Sequence, residues 1–219
     1  LPEIVKVLDM RKVFLLCLLA LALLPGGAAT AATLYVPNYN DDVMFGFTTA
    51  PDGLLTPIGG SPFEIPPNPP GGGTIAFAMT PDGDRAVAGF LFNGGMRGFS
   101  IDAAGAITPA QPKIGDLPEL EVNSAAVSPD GRFAYFTTRT DARGLRAYSI
   151  DAAGALGGEL AGSPYGAGVE QGDAAITPNG KFLFTSIENN ISRFTVNADG
   201  TLTPLGNQPL AGARWLQTS

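Results

Sequence analysis

From Leu34 onward the chain alternates short apolar runs with clusters of Gly, Pro, Asp and Asn, and no segment carries a convincing period of 3.6 residues. Short apolar runs bounded by turn residues predict strands rather than helices. FAYF, from Phe133, and FLFT, from Phe182, do not alternate as a half-exposed strand would. Strands of that kind belong to sheets covered on both faces.

The turn signals recur. MTPDGDRAVAGF (from Met79), VSPDGRFAYFTT (from Val127) and ITPNGKFLFTSI (from Ile176) each place Pro-Asp/Asn-Gly between two apolar runs. Proline presets φ, and Asp-Gly or Asn-Gly accommodates the residue that needs a positive φ. A second landmark follows in each unit: FTTAPDGLLTPIG, FSIDAAGAITPAQ, YSIDAAGALGGEL and FTVNADGTLTPLG, whose aromatics Phe47, Phe99, Tyr148 and Phe194 lie 52, 49 and 46 residues apart. Repeats at such a period mean stacked supersecondary units. Each unit reads strand, Pro-Asp-Gly turn, strand, polar loop, strand, Ala-x-Gly turn, strand. In the third unit the strands are expected at about Ala125–Val127, Arg132–Thr137, Leu145–Asp151 and Ala155–Leu160. Four-stranded antiparallel units covered on both faces predict an all-β propeller. The units fall at about 34–63, 74–114, 124–165 and 172–210, three and a half to four blades in an open arc or partial propeller.

Composition narrows the setting. The 219 residues include 29 Gly and 19 Pro, as many tight turns require, and 45% are apolar, enough for a core. The net charge of −7 argues against nucleic acid and anionic membranes as partners. Residues 1–9 read as upstream sequence ahead of Met10. Arg11-Lys12, the 12-residue apolar run Val13 to Leu24 and the small residues Ala29-Thr30-Ala31 read as a signal peptide over 10–31, cleaved after Ala31 or Ala32. That run falls short of the roughly 20 residues a stable membrane span takes. A secreted or periplasmic protein is therefore expected. The single cysteine, Cys17, would leave with the signal, so the mature chain would hold no disulfide.

LYVPNYNDDVMFGF (from Leu34), SPDGRFAYF (from Ser128) and FTVNADGTLTPLGNQPLAG (from Phe194) resemble the seven-bladed β-propeller family of bacterial lactonases. Its named activity is 6-phosphogluconolactonase, and it borders the YVTN-type surface propellers. The resemblance runs from Leu34 to about Leu216 and is carried by turn and core residues, so it bears first on fold. It implies an exported hydrolase of a sugar lactone or related ester. The rival class is a non-catalytic exported propeller that binds a ligand or a protein partner on its loop face. The family closes seven blades, so this chain reads as a truncated copy. The family also tends to begin the innermost strand with histidine, whereas those starts here read Gly73-Thr74, Asn123-Ser124 and Gly172-Asp173, and the chain has no histidine.

In a propeller, the loops from strand two to strand three and from blade to blade share one face, and the two turns share the other. Asp52, Asp82, Asp130 and Asp199 then belong to turns. On the loop face stand Glu119, Glu121 and Asn123; Glu170, Gln171 and Asp173; Arg139, Asp141 and Arg143; and the loop holding Asn189. Lactone opening needs a base for water and donors for the oxyanion. Without histidine the base must be a carboxylate, Glu170 or Asp173, and Arg139 or Arg143 could hold an acidic substrate bidentately. Glu121, Asn123, Gln171 and Asn189 would complete a ligand site for a lactone or carbohydrate. No cofactor is required, and calcium held by carboxylates and Asn is the alternative electrophile. There is no P-loop, dinucleotide fingerprint, zinc spacing or Gly-x-Ser-x-Gly elbow. An open arc would expose apolar faces on its first and last blades and should self-associate as a dimer, aggregate or be unstable. Arg214 to Thr218 could instead supply an inner strand and close four blades, but large side chains such as Phe133, Tyr135, Phe182 and Phe184 suit a wider ring.

Overall fold

The computed structural model describes residues 32–38, 43–65, 73–91, 95–114, 121–139, 144–166, 171–187 and 189–210. Residues 10–31 and Arg214 to Thr218, and with them the expected signal peptide and closing strand, lie outside this set. The described residues form four antiparallel sheets and no helix. The first holds β1 (Thr33–Asn38), β2 (Val43–Thr49), β3 (Leu55–Pro57) and β4 (Phe63–Glu64). The second holds β5 (Thr74–Met79), β6 (Arg85–Phe90), β7 (Met96–Ile101) and β8 (Ile107–Pro109). The third holds β9 (Val122–Val127), β10 (Phe133–Thr138), β11 (Leu145–Ile150) and β12 (Leu156–Glu159). The fourth holds β13 (Ala174–Ile176), β14 (Phe182–Ile187), β15 (Asn190–Val196) and β16 (Leu202–Pro209). In the last three, strands neighbour one another in chain order, as propeller blades do.

The turns form for the reasons their residues suggest. In the Pro-Asp/Asn-Gly turns, Gly83, Gly131 and Gly180 donate their amides to the carbonyls of Thr80, Ser128 and Thr177 at 2.9, 2.8 and 2.8 Å. The hydroxyl preceding each proline donates to the turn side chain: Ser128 to Asp130 at 2.6 Å, Thr177 to Asn179 at 2.7 Å and Thr80 to Asp82 at 2.5 Å. In the Ala-x-Gly turns Asp151 Oδ1 accepts the amides of Ala153 and Ala155 at 2.9 and 2.8 Å, and Asp102 repeats the pattern. Asx-type bonding of this kind fixes a turn from within.

Alternation along the strands then sends side chains to two different neighbours. Phe133 and Tyr135 of β10 pack forward with Leu183, Phe194 and Leu202 of the fourth sheet. Ala134 and Phe136 pack backward with Ala76, Val87 and Met96 of the second. All six residues of β10 are buried, which explains the missing polar alternation. Hydroxyls stitch the seams as well: Tyr135 donates to Gly200 O of the fourth sheet at 3.0 Å, and Tyr35 of the first sheet to Gly105 O of the second at 2.6 Å. Burial, with Asp102 nearby, pushes the Tyr35 hydroxyl up to about 12.

Two features depart from the repeat. In the first sheet, among the described residues, no strand pairs with the edge of β1 away from β2, whereas β6, β10 and β14 are flanked on both sides. The connectors after the outer strands also do not run straight to the next blade. Ser61 and Ser163 turn the chain back beside the third strand, where their hydroxyls accept the amides of Gly46 and Ala147 at 3.0 and 3.1 Å. Phe63 then pairs with β2, and Tyr165 bridges to Leu145, each burying its ring.

The turn carboxylates should make stability acid-sensitive. Partial burial opposes ionisation of Asp82 and Asp130, but hydrogen bonds from Thr80 and Arg85, and from Ser128 and Arg132, outweigh it and hold both below the ordinary value of 3.8. A depressed carboxyl contributes fully above its unfolded pKa and loses that contribution as pH falls toward its folded one. The melting temperature is therefore expected to drop below about pH 4, and Asp82→Asn should flatten that drop while lowering stability at neutral pH. A pH–melting curve unchanged by Asp82→Asn would contradict this.

Candidate functional site

The strand topology places the starts of β9 and β13 at one end of the arc, together with the ends of β10 and β14. The Pro-Asp/Asn-Gly turns carrying Asp82 and Asp130 sit at the other end. Asp173, Gln171, Glu121, Asn123, Arg139 and Asn189 thus share an end. Glu170 and Arg143, also expected there, lie outside the described residues.

Main-chain pairing brings Glu121, Arg139 and Gln171 together at the seam between the third and fourth sheets. The Arg139 amide donates to Glu121 O at 2.9 Å, joining the end of β10 to the start of β9. The Gln171 amide donates to Thr138 O at 2.9 Å, carrying the approach to β13 onto the same spot. Thr137 Oγ1 donates to Gly172 O at 2.5 Å.

Asp173 stands at the centre, half-buried. The Ser124 hydroxyl donates to its Oδ1 at 2.6 Å, and the Ala174 amide reaches the same oxygen at 3.0 Å. Its own amide donates to Ser186 Oγ at 2.8 Å. The carboxylate is therefore fixed by two inner strands at once, one from each sheet. A carboxylate oriented in this way can accept a proton from a water or from a ligand hydroxyl. Gln171 occupies a different niche. It is fully buried, accepts the Thr185 hydroxyl at 2.6 Å and donates to Gly166 O at 3.4 Å. It shapes the floor behind the seam. Asn123 and Glu121 are half-buried at the start of β9, while Arg139 and Asn189 are exposed at the rim, with Asn189 O accepting the Leu210 amide at 2.7 Å.

Residue-type reasoning missed Ser124, Thr137, Thr185 and Ser186, the hydroxyls that build the seam. Their signal is positional: each lies at the loop end of a first or second strand. Among the described residues no three His, Cys, Asp or Glu side chains gather in a way that could hold a metal ion. A shallow depression of about 500 Å³ lies at the opposite end, lined by Ser128, Asp130, Arg132, Phe133, Asn179 and Asn197. Its polar groups are already engaged in the turns, so the seam around Asp173 is the better candidate.

No family model matches the chain, and no curated protein is significantly similar to it. Solved structures are similar. A Bacteroides uniformis protein provisionally assigned as a 6-phosphogluconolactonase aligns over 83% of this chain and 56% of its own, with 23% identity and a TM-score of 0.64. The periplasmic gluconolactonase of Pseudomonas aeruginosa aligns over 84% and 53%, with 20% identity and a TM-score of 0.63. A Lactobacillus plantarum protein aligns over 82% and 54%, with 22% identity and a TM-score of 0.61. The chain thus has the β-propeller fold of these structures and spans a little over half their length.

Ser124→Ala should expose how tightly the seam is held. It removes the hydroxyl donated to Asp173 and the acceptor of the Ala174 amide, at 3.3 Å. A hydrogen bond to a charged group is worth about 1.5–3 kcal/mol, discounted here because the site is only part-buried. A loss of about 1 kcal/mol in denaturant titration is expected, and no loss would mean Asp173 is held by other partners.

Proposed function

We propose that this chain is an exported, lactonase-like β-propeller that binds a sugar lactone or related ester at the third–fourth sheet seam, with Asp173 as the base. The observation carrying this reading is the fixed carboxylate at the loop end of two adjacent inner strands. Asp173 would take the proton of a water attacking the lactone carbonyl, and Glu170, on the same approach to β13, is the second candidate base. Arg139 at the rim, with Arg143 on the same loop, would hold the anionic group of an acidic sugar. Asn123, Glu121 and Asn189 would meet its hydroxyls, and Gln171 would support the floor. Calcium at the carboxylates would be the alternative way to polarise the carbonyl. Export rests on the charged, apolar and small-residue stretches within 10–31. Among the described residues no helix is long and apolar enough to cross a membrane. The fold likeness to a periplasmic gluconolactonase is compatible with a periplasmic site.

A second reading keeps the same site without chemistry. It is favoured by one observation: Asp173 and Gln171 spend hydrogen-bonding capacity within the protein. The seam would then bind a carbohydrate or a protein partner.

A panel of sugar lactones, assayed with and without EDTA, separates the two. The catalytic reading expects turnover that falls about 100-fold or more in Asp173→Asn, the loss typical of a missing general base. Asp130→Asn, at the opposite end, should leave activity unchanged at matched stability. Loss of activity with EDTA would assign the electrophile to a cation. No turnover on any member, with saturable binding of a sugar acid that Asp173→Asn abolishes, would establish the binding reading instead.

A further inference from the structure

The hairpin turn of the fourth sheet differs from its two sisters at one position. It reads Pro178-Asn179-Gly180, where the second and third sheets have Pro81-Asp82-Gly83 and Pro129-Asp130-Gly131. An asparagine followed by glycine is open to attack by its own backbone. The amide nitrogen of the next residue can add to the side-chain Cγ, and a side chain on that next residue hinders the approach. Asn38, Asn123, Asn189, Asn190, Asn197 and Asn207 are each followed by a residue with a side chain. Among the described residues only Asn179 precedes a glycine, and it is exposed, so water and hydroxide reach it.

The closed turn keeps the two reacting groups engaged elsewhere. The Gly180 amide, which would be the nucleophile, donates to Thr177 O at 2.8 Å. Asn179 Oδ1 accepts the Thr177 hydroxyl at 2.7 Å and the Lys181 amide at 3.0 Å. These two donors polarise Cγ, yet the nitrogen does not reach it while bonded to Thr177 O. The third sheet adds a restraint from outside. Gly180 has φ +68°, and a Cβ built on it would stand 3.3 Å from Pro129 Cδ of the neighbouring turn. Ring closure needs the Gly180 nitrogen at Cγ, so the peptide unit must rotate and its bond to Thr177 O must break. The reaction therefore runs through an opened turn, at a rate scaled by how often the turn opens.

We infer that Asn179 is a self-modification site, which deamidates through opening of the β13–β14 turn to the aspartate that the sister turns already carry. The Gly180 nitrogen, having given its proton to hydroxide, bonds to Cγ. The Cγ–Nδ2 bond breaks and the nitrogen leaves as ammonia. Water then opens the cyclic imide. Cleavage of the new N–Cγ bond gives aspartate, and cleavage on the main-chain side gives isoaspartate, whose backbone runs through Cγ. The net change is an amide and water going to an acid and ammonia, with no oxidant or reductant. The fold already accepts the first product. Asp130 Oδ1 receives the Ser128 hydroxyl at 2.6 Å and the Arg132 amide at 3.1 Å, the same two bonds that Asn179 receives. Aspartate at 179 keeps them and adds one negative charge next to Lys181. Isoaspartate lengthens the main chain by one carbon and draws Oδ1 away from both donors. One product marks the chain with charge, and the other disrupts the turn of the hairpin whose loop end follows Asp173. The inference stands apart from the proposed activity.

Peptide mapping by mass spectrometry during incubation in mildly alkaline buffer tests it on the chain itself. Asn93-Gly94 lies outside the described residues and is read from its own peptide. Aspartate and isoaspartate should accumulate at 179 in the folded chain, about 10-fold or more slowly than in the chain unfolded by denaturant. Thr177→Ala removes the hydroxyl bond to Oδ1 and should speed the folded-state reaction about 5-fold, the factor one ordinary hydrogen bond is worth. It should leave the unfolded-state rate unchanged, and Thr177→Ser, which keeps the hydroxyl, should stay near the starting rate. Circular dichroism and melting check that each variant folds. Independently of any variant, urea below the unfolding transition should raise the rate in step with exchange of the Gly180 amide. Asn179→Asp, the first product made directly, should fold and melt close to the starting chain. Equal rates in the folded and unfolded chain, no product at 179 in either, or a rate indifferent to urea and to Thr177→Ala in a folded chain would overturn the inference. An unfolded Asn179→Asp chain would overturn it as well.

Discussion

The structure depends on one interaction, the face-to-face packing of successive sheets. A four-stranded sheet that is apolar on both faces has no stable existence in water by itself. Burying one aromatic side chain contributes about 1.5–3 kcal/mol, and β10 sends Phe133 and Tyr135 to one neighbour and Phe136 to the other. The turn glycines Gly105, Gly154 and Gly200 belong to the same contact. Their positive φ shapes the turns, and their missing side chains let the preceding sheet close over them.

That packing also sets the site. Ser124 and Asp173 are 49 residues apart and meet only because β9 and β13 are neighbouring inner strands. The Thr137 bond to Gly172 O crosses the same seam. Side chains held by two rigid sheets are positioned more tightly than side chains on loops. The turns at the far end do the opposite work: Asp82 and Asp130 are consumed in building the hairpins, which leaves the loop end free to carry chemistry.

Much of the fold was legible because its determinants are local. A Pro-Asp-Gly triplet and an Ala-x-Gly triplet each declare a turn, and between them the observed strands of the third sheet lie within about three residues of the expected ones. The fold-back at Ser61 and Ser163 was not legible, because it depends on an amide that a neighbouring strand leaves open. The site was legible only by end of the arc. Asp173, Glu121, Asn123 and Arg139 stand at the loop ends of their strands, but nothing in the sequence places Ser124 against Asp173, and Gln171 looks like any polar loop residue until the sheets enclose it. Sequence periodicity reports which residues point which way along a strand, and it is silent on what stands across the seam.

The central claim is that every sheet of this repeat needs a neighbour on both faces. Amide hydrogen exchange tests it most directly. The account predicts the slowest exchange in β6 and β10, whose sheets have a neighbour on each face. The strands β1, β2, β14 and β15, whose outer faces no described residue covers, should exchange measurably faster. Exchange in these end strands as slow as in β10 would contradict the claim.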